Sequence, residues 1–184
     1  MFIPKRVIFE KDSLDYEIGK NIYNKFKDNS DVEIIKLTSN KVKENIPGEG
    51  LFNFYREGKR TLVVGVKKGF KFQSCKPSAH YQLPIVSGCI GQCQYCYLNT
   101  NLGDKPYIKI NVNLDDILER AQKYIDERLP EETIFEGSAT SDPVTIEPYT
   151  NALKRTIEYF GKSEKGRFRF VTKYSDIEIG RAHV

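Results

Sequence analysis

The chain reads as an α/β protein, with strands and helices alternating around a parallel sheet or barrel. Three observations predict this. Short β-branched runs recur between stretches that carry apolar residues at helical spacing. Breakers such as Pro130 and Gly161 close the helical stretches. A hydrophobic content of 39% with 29% charged residues over 184 positions suits a soluble domain able to bury a core. Repeats of this kind use right-handed crossovers, which make neighbouring strands parallel and gather chemistry at their carboxyl ends.

Taken in order, Arg6–Glu10 is a strand candidate. Ser13 is placed to cap a helix reaching Lys27, with Leu14, Ile18, Ile22 and Phe26 on one face. Val32–Leu37 and Thr61–Val66 are further strands, the second with buried character. Between them, Thr38 to Arg60 reads as a polar loop. Tyr81–Ser87 is extended, and Pro84 requires an edge position or a place near the strand's start. Asn113 can cap a helix whose apolar face is Leu114, Ile117, Leu118, Ala121, Ile125 and Leu129, with Asp115 and Asp116 favourable to its first turn. Glu132–Glu136 is the next strand. Pro148 and Gly161 bracket a helix that turns Ala152, Leu153, Ile157 and Phe160 inward. Arg167–Lys173 is the last strand.

The totals restrict function only loosely. A formal charge of +4 permits a nucleic-acid partner without requiring one. No apolar run approaches the roughly 20 residues of a membrane span, and the N-terminus lacks the apolar core of a secretory signal. Four cysteines, three of them clustered, fit a reduced cytoplasmic protein with a metal site better than a disulfide framework. Lys67, Lys68, Lys71 and Lys76, interleaved with Phe70 and Phe72, can meet phosphates and stack on bases, or form an ordinary solvated hairpin face.

The most informative stretch is Ser87 to Thr100. Cys89, Cys93 and Cys96 are spaced C-x3-C-x2-C, and Gly88 and Gly91 let the loop curl. Three thiolates saturate neither a tetrahedral zinc nor a cubane of four irons, so one coordination position stays open. A structural zinc site with Cys75 or His80 as fourth ligand is the alternative, although its usual second paired motif is missing. Two more stretches lie at predicted strand ends, Ser138–Asp142 and Thr172–Lys173. Ser138, Ser141 and Asp142 carry oxygens able to accept from an ammonium group, or to cap the following helix. Lys173 can pair with a carboxylate, or simply face solvent.

The C-x3-C-x2-C loop with Tyr95 at its penultimate place resembles the cluster-binding loop of the radical S-adenosylmethionine superfamily. The wider context, Cys75 to Thr100 with Phe135–Asp142 and Arg167–Lys173, is similar to one family within it, the spore photoproduct lyases. The resemblance implies a partial (β/α) barrel with its first three βα units in residues 76–178, preceded by a small α/β region in 1–75. It implies a [4Fe-4S] cluster on Cys89, Cys93 and Cys96, whose fourth iron is chelated by S-adenosylmethionine. It implies reductive cleavage to a 5′-deoxyadenosyl radical, which converts the ultraviolet-induced thymine dimer of spore DNA back to two thymines. The electron would come from a ferredoxin or flavodoxin. Tyr95 is expected near the adenine, and Ser138, Ser141, Asp142 and Lys173 on the cofactor's amino-acid end.

The resemblance also implies a cysteine two residues before Ser141 as hydrogen-atom donor. Ala139 stands there, and alanine has no hydrogen of suitable bond strength. Cys75, the only other thiol, is therefore the expected donor, relayed by Tyr95 or Tyr97, against the plainer reading of a buried free cysteine. Two rival expectations are another radical S-adenosylmethionine enzyme with a different substrate, and a non-catalytic metal-binding module. Because the pattern stops at a third strand, the chain is expected to be an N-terminal fragment, inactive by itself, with residues 179–184 a non-native tail.

Overall fold

The structure, a computed structural model, describes residues 2–39, 41–69, 71–98 and 105–174. Its strands form two sheets. Strands β1 (Arg6–Phe9), β2 (Glu33–Lys36), β3 (Thr61–Gly65), β5 (Val86–Ser87) and β6 (Ile108–Asn111) make a five-stranded sheet in the order β2-β1-β3-β6-β5. Its first four members are parallel, and β5 runs antiparallel on β6. Strands β4 (Tyr81–Gln82), β7 (Thr133–Glu136) and β8 (Gly166–Arg169) make a parallel three-stranded sheet in chain order. The α/β class expected from the alternation is what the chain adopts.

Burial explains the continuous apolar strands. Val7, Ile8 and Phe9 of β1 and Leu62, Val63 and Val64 of β3 have almost no exposed surface. Parallel central strands covered on both faces read this way in sequence. Alternate side chains divide between two cores. Val7, Phe9, Leu62 and Val64 join Ile18, Ile22 and Phe26 of helix α1 (Glu17–Phe26), whereas Ile8 and Val63 join Val42, Ile46 and Tyr107. Phe54 of helix α2 (Gly50–Gly58) packs against this second core.

Several local expectations change. Ser13 does not cap α1: it lies in a 3-10 turn and donates its hydroxyl to the Glu10 carbonyl at 2.6 Å, while Tyr16 takes the cap position. Helix α2 falls inside the expected loop, because its two glycines and one asparagine hide a helix that buries little of its own surface. Strand β6 was not foreseen, since Lys109 interrupts its apolar pattern. That charge is matched by the Glu10 carboxylate, both of whose oxygens lie 2.6–2.7 Å from Lys109 Nζ.

The extended Tyr81–Ser87 stretch is divided between the sheets. Tyr81 and Gln82 pair with β7, and Val86 and Ser87 pair with β6. Pro84 sits at the switch, where it owes no amide hydrogen to a ladder and its carbonyl accepts from Asn111 Nδ2 at 2.7 Å. Helix α3 (Leu114–Asp126) begins at Asn113, but the Asn113 side chain does not cap it. It bonds instead to the Lys67 backbone, at 2.8 and 3.1 Å, and to Asp116.

The helix expected from Pro148 is broken by Asn151, whose φ of 51° is left-handed, into α4 (Glu147–Thr150) and α5 (Ala152–Gly161). Glu147 then supplies the cap that Asn151 does not, accepting from the Leu153 and Lys154 amides at 2.8 and 2.9 Å. No helix among the described residues is long and apolar enough to cross a membrane. Phe70, Asn99, Thr100 and the tail 179–184 with His183 lie outside the described residues.

Candidate metal centre

The cysteine loop hangs between the two sheets, just after β5. Gly88 has a φ of 81°, and a Cβ there would meet the Tyr107 carbonyl at 2.3 Å, so only glycine fits. The Gly88 amide donates to the Thr140 carbonyl at 2.9 Å, and Gly88 forms a parallel bridge with Ser141. The loop's entry is thus stitched to the loop that follows β7. Two of the three predicted site stretches are brought together by backbone bonds.

Inside the loop the structure is sparse. The Cys96 amide donates to the Cys93 carbonyl at 3.1 Å, and the Gly91 amide donates to Cys89 Sγ at 3.3 Å. A Cβ at Gly91 would stand 3.4 Å from Cys89 Sγ and 3.7 Å from Cys93 Sγ, so glycine keeps the space between those two sulfurs clear. All three thiols are half-buried and free of disulfides. Among the described residues, no three Cys, His, Asp or Glu side chains already stand as a metal-binding group. The donor set itself, three soft sulfurs on a pliable loop, fits an iron–sulfur cluster.

Three residues that sequence reasoning missed surround this loop. Lys59, buried at the end of α2, donates Nζ to the Cys89 carbonyl at 2.7 Å. Burial lowers its pKa, opposed by the neighbouring cysteine charges. Tyr55, one turn earlier, has its hydroxyl pKa raised by burial and then by Cys96, Cys89 and Cys93. Tyr174 is pushed up to about 12 by burial, then by Cys89, Asp142 and Cys93. Burial also pushes the Cys89 thiol up, against the Gly91 amide and the Lys59 ammonium, which favour its thiolate. None of the three follows a spacing rule, because each reaches the loop only through the tertiary fold.

The strand-end residues are knit to one another. Ser138 donates its hydroxyl to Glu136 Oε1 and accepts from the Val171 amide at 2.8 Å. Ser141 is buried and donates to the Gly137 carbonyl at 3.2 Å. Asp142 is buried and accepts from the Thr172 hydroxyl at 2.8 Å, the Lys173 amide at 2.9 Å and the Val144 amide at 3.3 Å. It therefore clasps the loop after β7 to the loop after β8. The Lys173 side chain is exposed.

Tyr95 is 82% exposed, which excludes the core-aromatic reading of this residue. Tyr97 donates its hydroxyl to the Ala139 carbonyl at 2.5 Å. Its pKa is raised by burial and then by Cys96, Cys75 and Glu136. Cys75 itself is half-buried at the entry to a turn, 3.6 Å from the Ser78 hydroxyl. His80 is a structural residue: its Nδ1 accepts from the Ile134 amide at 2.9 Å, which occupies that nitrogen. Phe72 is stacked on Tyr124 within the core and has no free face for a base.

Fold and site together define a mixed α/β protein that sets a three-cysteine loop against the carboxyl ends of a parallel sheet. Residues 2–181 match the family model for spore photoproduct lyase, and the chain belongs to that family. It is 58% identical over 173 residues to the spore photoproduct lyase of Clostridium acetobutylicum, covering 94% of this chain and 51% of that one. It is 48% identical over 177 residues to that of Bacillus subtilis, covering 96% and 52%. Among solved structures, a spore photoproduct lyase variant with bound AdoMet and dinucleoside spore photoproduct matches with a TM-score of 0.89 and 53% identity, over 94% of this chain and 51% of that one. A spore photoproduct lyase complexed with dinucleoside spore photoproduct matches equally well, at 0.89 and 52%. The chain spans about half the length of the curated relatives it matches.

Proposed function

We propose that this chain carries the cluster and cofactor site of a radical S-adenosylmethionine lyase that reverses the spore photoproduct in DNA to two thymines. The observation that carries the reading is the C-x3-C-x2-C loop joined by backbone bonds to the Ser138–Asp142 loop, in a chain matched to one lyase family over residues 2–181. Strands β4, β7 and β8, parallel and in chain order, are read as the first three strands of a partial (β/α) barrel in residues 76–178. Residues 1–75 supply most of the accompanying sheet, which β5 and β6 complete.

Cys89, Cys93 and Cys96 are assigned as ligands of a [4Fe-4S] cluster. When bound, such a cluster supplies the electron that splits a carbon–sulfur bond of S-adenosylmethionine. Ser138 and Ser141 are assigned to the cofactor's ammonium group, and the exposed Lys173 to its carboxylate. Asp142 serves this end of the site by holding the Thr172–Lys173 loop in place, since its oxygens are already committed to that loop. Tyr95, open to solvent, is assigned to pack near the adenine. Cys75 is assigned as hydrogen-atom donor to the thymine radical, relayed by Tyr95 or Tyr97. The partners are lesion-bearing DNA and a ferredoxin or flavodoxin, in the cytoplasm.

The test is S-adenosylmethionine cleavage by the anaerobically reconstituted enzyme, with and without lesion-bearing DNA. Thymine formation that depends on both supports the reading. Cleavage without thymine assigns a different substrate, and neither iron uptake nor cleavage reduces the loop to a metal-binding module. For the donor, Cys75→Ala should divert the products to adducts. Clean thymine from that variant would remove Cys75 from the role.

A further inference from the structure

A cleft of about 1050 Å³ lies beside the cysteine loop, along the carboxyl ends of β1, β3 and β4. Seven lysines line it against two glutamates. Glu10 is neutralised by Lys109, and Glu44 is bonded to Lys41. Lys67 and Lys68 follow β3 directly, Lys71 follows them, and Lys105 precedes β6 from the opposite side. These four have no acidic partner among the described residues. The cleft therefore holds a concentrated positive potential that the fold leaves unmatched.

We propose that this cleft is a phosphate track that holds the DNA backbone flanking the lesion. The inference rests on the DNA-repair reading and adds to it where the strand lies outside the reaction centre. Two features decide for a polyanion over a small ligand. The charges are flexible ammonium groups spread along a trough, which suit a row of phosphodiesters better than one fixed anion. The volume is at or above the upper end of ordinary small-molecule pockets.

A third feature gives direction. Ser87 and Thr140 line one end of the cleft, Gly88 follows Ser87, and the Gly88 amide is bonded to Thr140. A strand lying in the trough would run past the residue that leads into Cys89. Asn113 fixes the Lys67 backbone through both its amide and its carbonyl, so the first lysine of the row is held at a defined place on the rim.

The test compares the wild-type protein with the triple variant Lys67→Gln, Lys68→Gln, Lys71→Gln on undamaged duplex DNA, by fluorescence anisotropy across a salt series. A second triple variant, with arginine at the same positions, keeps the charge and controls for folding. The expected result is a slope of log K against log salt that is shallower by about 3 for the glutamine variant and unchanged for the arginine variant. Equal slopes for wild type and glutamine variant would overturn the proposal. Competition by inorganic tripolyphosphate as strong as that by DNA, per charge, would assign the cleft to free phosphate instead and also overturn it. Repair of a dinucleoside lesion has no flanking phosphodiester to lose. All three proteins should process it alike, and failure there would count against the repair reading rather than the track.

Discussion

The five-stranded sheet meets the cysteine loop beside the amino ends of β3 and β6, at Lys59 and Tyr107, whereas the three-stranded sheet meets it past the carboxyl end of β7. The carboxyl ends of the two sheets present different chemistry. β1 and β3 are sealed on both faces and lead into Glu10 and a row of lysines. β7 and β8 lead into hydroxyls and a carboxylate that bond one another and meet the cysteine loop at Gly88. Apart from the buried Glu10, paired with Lys109, the first edge keeps its lysines open to solvent. The second keeps its polar groups buried or half-buried and bonded within the fold, which fixes their positions. A wide anion needs the first arrangement, and a small cofactor held at defined distances needs the second.

The sharpest way to break this comparison is to remove a thiol. Cys93→Ala should abolish most iron in an anaerobically reconstituted protein while changing stability by only about 0.5 kcal/mol, because the residue lies on a sparsely bonded loop. Retained iron would show that the loop is not the metal centre. The opposite separation is expected of Phe135→Ala. This ring is fully buried against Phe72, Tyr81 and Phe160, and its loss should cost about 3–5 kcal/mol in thermal or denaturant unfolding. A cost near zero would mean that the small sheet is not packed as described.

A smaller effect is expected at Glu147, which caps α5 across the left-handed Asn151. Glu147→Ala should destabilise by about 1 kcal/mol, and Glu147→Gln by less, because one acceptor oxygen remains. The smallest effect is a pH dependence at His80. Burial, then Arg128 and Lys76, lowers its pKa from the ordinary 6.5, in keeping with an Nδ1 that must stay unprotonated to accept from Ile134. Its contribution is complete above pH 6.5 and is lost as pH falls through the lowered value. Hydrogen exchange at the Ile134 amide, corrected for its intrinsic pH dependence, should accelerate in that window. Exchange that ignores pH there would remove His80 from the ladder.

The sequence was most legible where one short-range pattern controls the outcome. Buried parallel strands announce themselves as unbroken apolar runs, so Val7–Phe9 and Leu62–Val64 were readable, and the cysteine spacing was readable for the same local reason. Strand β6 was not, because the Glu10 partner that makes Lys109 acceptable lies 99 residues away. Helix α2 is hidden by its glycines, one of which tertiary packing requires: a Cβ at Gly58 would stand 2.5 Å from Pro106. Within the site, the strand-end serines and Asp142 could be named in advance. That Asp142 is spent on Thr172 and Lys173, and that Lys59 anchors the Cys89 carbonyl, depends on contacts that no spacing encodes.

The crossing of Leu83–Ile85 from one sheet to the other bears on how this polypeptide can be divided. β6 covers the side of β3 that β1 leaves open, and β6 arrives only after the cysteine loop. A piece ending near residue 75 would present β3 as a bare apolar rim, a template for self-association. Expressed alone, residues 1–75 should precipitate or pair with copies of themselves. Supplying residues 76–174 in trans should return them to solution, so the two pieces would behave as complementing parts of one woven unit.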